Sequence, residues 1–155
     1  MNEILQKLEE TFGDRVRVFE SLGQTVVHVV AAEIVSVVTF LKSQGFSMLI
    51  DLSAVDYLGR EPRFDVVYHL YHVEHRQWLR LIVQVGGDEP QVPSISHVFA
   101  SANWAERECY DLVGIRFRGH PDLKRILMPD DWEGHPLRKD YPLTGTEPPP
   151  PLARE

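Results

Sequence analysis

The sequence predicts an α+β fold: a two-layer domain with a mostly antiparallel or mixed β-sheet, helices packed on one face, and an extended irregular C-terminal segment. Three observations lead there. Up to about Gly114, helical and strand periods occupy separate stretches in the order helix, two strands, helix, three strands, helix, which keeps helices apart from largely antiparallel strands. The strand candidates follow one another through turn-forming residues, as hairpins and meanders do. From Gly119 to Pro142 neither period persists, and four prolines interrupt the chain. Its 155 residues suit one domain, divided here into an α+β unit over 1–118 and an extended partner-binding segment with a proline-rich tail over 119–155.

Each element has its own warrant. In MNEILQKLEETFG, Ile4, Leu5, Leu8 and Phe12 form one helical stripe that Gly13 stops. Val16 and Val18 alternate with charges, Ser21 to Gln24 turn, and Thr25 to Val30 is apolar, which reads as a hairpin. Ile34, Val37, Val38 and Leu41 then recur at helical spacing within residues 31–45, and Gly45 caps the end. Three strand candidates follow at 46–59, 63–75 and 77–87, the first two separated by a turn over Gly59 to Pro62. Phe64, Val66, Tyr68 and Leu70 alternate with Asp65, Val67, His69 and Tyr71, a strand with one better-buried face. A last helix is expected to start at a Ser94 or Ser96 cap and to cover parts of residues 95–114, with a break near Ser101–Asn103.

Composition excludes several classes. A net charge of −7 and a pI near 5.5 argue against a nucleic-acid binder, which presents a basic face. The single cysteine, Cys109, rules out an internal disulfide and any cluster held by several thiolates of this chain. No run approaches the ~20 apolar residues of a membrane span and no leader is evident, so the expectation is a cytosolic protein that reaches a membrane only through something else. The closing EPPPPLARE reads as a solvated or partner-bound tail.

The informative segment runs from Asn103 to Pro142. It holds eight acidic and seven basic residues, a balance suited to specific ion pairing with another surface rather than to a one-signed nucleic-acid arm. On a helix, Arg107 and Asp111 stand at i, i+4, as do Glu106 and Tyr110, so side-chain pairs would lace one face. Proline excludes the α region at the residue before it, which holds His120, Met128 and His135 in extended backbone. Trp132, Tyr141, Arg125 and Arg138 are the residue types that dominate protein interfaces.

This stretch, WAERECYDLVGIRFRGHPDLKRILMPDDWEGHPLRKDYPL, closely resembles the signature of the C-type subunit of respiratory complex I, proton-pumping NADH–quinone oxidoreductase, also called the 30-kilodalton subunit family. The matching positions are Glu106-Arg107-Glu108, Tyr110-Asp111, Gly114-Ile115, Phe117, His120-Pro121, Leu123, Arg125-Ile126-Leu127, Pro129, Asp131-Trp132, Gly134 and Pro136 to Tyr141. The resemblance implies a non-catalytic subunit of the peripheral arm, on the cytoplasmic side of the inner membrane. It would pack against the homologue of the D-type subunit, which forms much of the quinone site, and against neighbouring iron–sulfur subunits. It implies no cofactor on this chain, with NAD, FMN and the iron–sulfur clusters in partner subunits. On it, Glu106, Arg107, Glu108, Asp111, His120, Arg125, Asp131, Trp132, His135, Arg138, Lys139, Asp140 and Tyr141 are expected to face partners. Relatives in plastoquinone-linked complexes and membrane-bound hydrogenases share the signature and remain alternatives.

Enzymatic readings of the same residues compete with this one. Asp130, Asp131, Glu133 and His135 could hold a divalent cation, the basis for a stand-alone metal-dependent hydrolase, but an acidic turn with ion pairs is the simpler expectation. His69, His72 and His75 invite zinc; in a strand the first and last share a face while the middle one points away, so a solvent-facing strand is favoured. Cys109 with His120 or His135 could form a thiol nucleophile, though Glu106 and Glu108 nearby favour a packed, inert thiol. Glu106 and Glu108, two apart on a helix, do not face each other as an acid–base pair would. The two His-Pro phrases could report pH; neutral rings bonded to backbone are the simpler expectation.

Overall fold

The computed structural model describes residues 2–144; the EPPPPLARE tail lies outside them. The elements are α1 (Asn2–Phe12), β1 (Val16–Ser21), β2 (Gln24–Val29), α2 (Ile34–Ser43), β3 (Met48–Asp56), β4 (Phe64–His72), β5 (Gln77–Val85), β6 (Gln91–Pro93), α3 (Ala102–Val113) and β7 (Arg116–Arg118). Five strands form one sheet in the order β1-β2-β5-β4-β3, and β6 and β7 pair separately.

The hairpin and the meander form as the side-chain alternation requires. β1 and β2 pair antiparallel around Leu22 and Gly23, whose φ values of 52° and 73° give the turn the positive-φ geometry that matches strand twist. β3, β4 and β5 pair antiparallel in turn. What joins the two groups is a parallel pairing of β2 with β5, Val27 opposite Leu81 and Val29 opposite Val83. One row across the sheet thus reads Val18, Val27, Leu81, Tyr68, Leu52.

That row faces the helices. Leu8 and Phe12 of α1, Ile34, Val37, Val38 and Leu41 of α2, and Ala102, Cys109 and Val113 of α3 join it in one core. Burying a side chain the size of leucine contributes about 1.5–3 kcal/mol, so the face is held by many such terms. On the opposite face Val67, His69, Tyr71, Arg80 and Ile82 are half-buried and Trp78 is exposed.

Two expectations need correction. The last helix begins at Ala102, where a break was expected, and residues 94–101 are irregular. The reason is chemical: the Ser94 hydroxyl and the Ile95 N–H both donate to the buried Glu106 carboxylate, at 2.5 and 2.7 Å, so the presumed cap serves a side chain in the next element. β4 lies between β3 and β5 and ends at His72, which is buried. His75 therefore leaves the strand alternation and sits in the following turn, its N–H donating to His72 Nδ1, while His69 lies on the other face and accepts from Arg80. The small parallel sheet of β6 and β7 answers to no sequence expectation, since its three-residue strands are too short to show a period.

Candidate functional site

Residues 119–144 form a strap of turns laid against α3. An irregular segment leaves backbone groups without a ladder to pair in, and those groups must find partners or stay in water. Here α3 supplies the partners. Asp111 is fully buried. Its Oδ2 accepts the N–H groups of Ile126, Leu127 and Met128 at 3.0, 2.7 and 2.9 Å, and its Oδ1 accepts Arg125 Nη1 at 2.7 Å. Burial alone would raise this carboxyl; the Met128 N–H, the Arg125 guanidinium and the other two N–H groups outweigh it and bring it down to about 2.

Arg125 closes the loop that follows. Its Nη2 donates to the carbonyls of Trp132 and Gly134 at 2.8 and 2.9 Å, so one guanidinium ties both limbs of the strap to Asp111. Arg107, which stands against Trp104 in a cation–π contact of 5.0 Å, donates to the carbonyls of Lys124 and Arg125. His135 Nδ1 donates to the Asp111 carbonyl at 2.9 Å, and Arg138 Nε donates to the Val113 carbonyl at 2.7 Å. These groups serve the last, otherwise orphan carbonyls of α3. Gly114 ends the helix at φ +81°, and a Cβ there would run into the His135 ring, so the strap packs on bare backbone.

A second buried group sits nearby. Glu106 is fully buried, held by the Ser94 hydroxyl and the Ile95 N–H, with His120 Nε2 3.9 Å from its Oε2. His120 Nδ1 accepts the Asp122 N–H at 3.0 Å, so Nε2 carries the hydrogen and donates to the Asn103 carbonyl at 3.0 Å. Burial pushes Glu106 up to about 7 against the lowering effect of its two donors. Cys109 is buried beside Leu52, and burial drives its thiol far above the ordinary range, the opposite of what a nucleophile needs.

The strap's end is fastened to the sheet. Arg63, just before β4, makes paired hydrogen bonds to Asp56 at 2.7 and 2.7 Å and to Asp140 at 3.0 and 2.8 Å. Asp56 also accepts the Lys139 N–H at 2.8 Å. The two acids are not equivalent: the Asp56 side chain is 1 % exposed and that of Asp140 51 %. Asp56→Ala should cost about 2–3 kcal/mol, because it strips a buried charge partner and a backbone acceptor. Asp140→Ala should cost about 1 kcal/mol or less. Thermal melts of the two variants check this, and equal shifts would refute the division.

The residues expected to face partners thus have several placements. Glu106, Arg107, Asp111, Arg125, His120, His135 and Arg138 are engaged within the chain. The i, i+4 pairs along α3 do not form: Arg107 turns to strap carbonyls and Asp111 to Arg125. Glu108, Asp131, Lys139 and Asp140 are exposed, and Trp132 and Tyr141 are half-buried. Sequence reasoning misses Asp56 and Arg63 and gives Ser94 only a capping role, since the contacts to Lys139, Asp140 and Glu106 span 83, 77 and 12 positions and spacing carries no signal at such ranges. Among the described residues no group of three or more His, Cys, Asp and Glu side chains converges to hold a metal ion, and no helix is long and apolar enough to cross a membrane.

Residues 27–147 match the family described as respiratory-chain NADH dehydrogenase, 30 Kd subunit. The NADH-quinone oxidoreductase C subunit of Geotalea uraniireducens is 46% identical over 94% of this chain and 90% of its own length. The Geobacter sulfurreducens protein of the same name is 48% identical, covering 94% and 92%. Among solved structures, a trypsin-resistant fragment of Nqo5 superposes with a TM-score of 0.69 at 30% identity, covering 79% of this chain and 98% of the fragment. A chain of the membrane-bound sulfane sulfur reductase, an archaeal respiratory membrane complex, shares the fold with a TM-score of 0.80 at 23% identity, over 92% of this chain and 85% of that one. By sequence and by fold, this chain belongs to the 30-kilodalton subunit family of respiratory-chain NADH dehydrogenase.

Proposed function

We propose that this chain is the C-type subunit of a proton-translocating NADH–quinone oxidoreductase, a peripheral-arm component without catalytic residues that holds its neighbours in register. The observation that carries the reading is the relation to NADH-quinone oxidoreductase C subunits over nearly the full length of both chains. The architecture supports it: Arg107, Asp111, Arg125 and Arg138 of the charged stretch hold the strap against α3. The neighbours are the homologue of the D-type subunit and iron–sulfur subunits, on the cytoplasmic side of the membrane. NAD, FMN and the clusters belong to those partners, since a chain with one cysteine cannot ligate a cluster through thiolates alone.

The test is gentle solubilisation of the native membrane, affinity capture on this chain, and assay of the eluate. Iron–sulfur subunits and NADH-driven quinone reduction should come along, and deletion of the gene should abolish the assembled enzyme on a native gel. A solitary chain in the eluate, or full enzyme levels after deletion, would sink the proposal.

A further inference from the structure

The loop from Leu127 to Leu137 turns the usual arrangement inside out. Both ends are tied to adjacent positions on α3: the Leu127 N–H to the Asp111 carboxylate at 2.7 Å and the Leu137 N–H to the Leu112 carbonyl at 2.9 Å. Its waist is closed by Arg125 on the carbonyls of Trp132 and Gly134. The polar backbone is thereby used inward, while Leu127 and Leu137 remain 61% and 60% exposed. A single exposed leucine is ordinary. Two leucines at the two feet of a loop pinned this firmly are different, because the cost of ordering a contact surface is already met by the fold.

The charge on the loop indicates what covers it. Residues 126–137 contain no lysine or arginine but three carboxylates, Asp130, Asp131 and Glu133, all exposed. None forms an ion pair among the described residues. Like charges this close in the chain repel, and cations on another surface would relieve them. A second copy of this chain docked symmetrically would set the same carboxylates against each other, which penalises self-association.

We propose that the 127–137 loop is a preformed docking ridge whose Leu127 and Leu137 enter an apolar groove, rimmed by lysine and arginine, on a neighbouring polypeptide of the same assembly. This rests on the subunit reading given above. It assigns the intermolecular contact to the two leucines and the three acids, and leaves Asp111, Arg125 and Arg138 the task of holding the ridge in shape.

The experiment uses the full chain in its native cells. A photoreactive benzoylphenylalanine at position 127 or 137 should cross-link to one neighbouring polypeptide of the complex, at apolar residues flanked by lysine or arginine. L127D/L137D should lower the amount of this chain recovered in the complex at least tenfold, while the purified variant keeps the wild-type circular dichroism spectrum and melting temperature. D130N/D131N/E133Q should leave the melt unchanged and make the chain wash off the complex at lower salt. Recovery of L127D/L137D at wild-type levels overturns the inference, as does a cross-link to a second copy of this chain or to an acidic surface. Failure of the wild-type chain to enter any complex would instead sink the subunit reading, so the two failures are distinct.

Discussion

Asp111→Ala should lower the melting temperature of the isolated chain by roughly 10 °C, an effect set by how many groups one carboxylate serves. Removing it strands the N–H groups of Ile126, Leu127 and Met128 and takes the charge partner from Arg125. Breaking a buried pair from one side costs about 3–5 kcal/mol, and a chain of this length shifts by about 2–4 °C per kcal/mol. The loss is local before it is global. Lys124 and Arg125 should become the first sites of trypsin cleavage, since the strap can regain hydrogen bonds to water only by lifting off α3. The pH dependence gives an independent check. Asp111 is held down to about 2, so its contribution is present above the ordinary carboxylate pKa of about 3.9 and fades as the pH falls through about 2. The gap between wild type and variant should therefore narrow in acid. A variant that melts within about 2 °C of wild type and resists trypsin equally at 124–125 would refute the hub role.

The same carboxylate shows how far the sequence can be read. Helices and strands with a full buried stripe were legible because period 3.6 and period 2 leave their mark in one stretch of chain: Leu8 and Phe12, or Phe64, Val66, Tyr68 and Leu70. The parallel union of β2 and β5 was not, since it pairs residues some fifty positions apart and neither strand records its neighbour's direction. The start of α3 was misplaced because Ser94 looks like a cap whether its hydroxyl serves a helix or, as here, Glu106.

The strap itself was legible as an anomaly, through its prolines and balanced charges, and its residues carried the family resemblance. Its bonding was not legible. Arg107, Asp111, Arg125 and Arg138 invite side-chain partners, at helical spacing or on another surface, whereas much of what they bind is backbone. Backbone donors and acceptors occur at every position, so nothing in composition or spacing singles out which of them a charge will serve. An irregular segment is where such demand is greatest, because it lacks the ladder that satisfies a strand or helix.

Glu106 provides the second large effect, with the opposite sign. Its carboxyl is buried between Ser94, Ile95 and the His120 ring, with Tyr68 and Cys109 also near. No arginine or lysine pairs with it among the described residues. Burial raises it to about 7, so charging it in the folded chain costs more than in the unfolded one. Its stabilising share is complete below about pH 4.5 and is lost as the pH rises through about 7, a total of about 3 kcal/mol at 1.36 kcal/mol for each pKa unit. Glutamine is isosteric with the protonated acid. Its carbonyl can accept the Ile95 N–H while its amide donates to the Ser94 hydroxyl, whose hydrogen is then free for the Ser96 hydroxyl 2.8 Å away. Glu106→Gln should therefore match wild type at about pH 4 and exceed it at about pH 8 by several degrees in melting temperature. Denaturant unfolding of both proteins across this range decides the matter, because parallel curves would mean that Glu106 stays ionised and some cation the geometry does not reveal compensates it. Should the curves diverge as expected, the acid at the centre of the family signature is a proton-bearing strut at neutral pH, and its pairing with a charged neighbour is not what keeps it there.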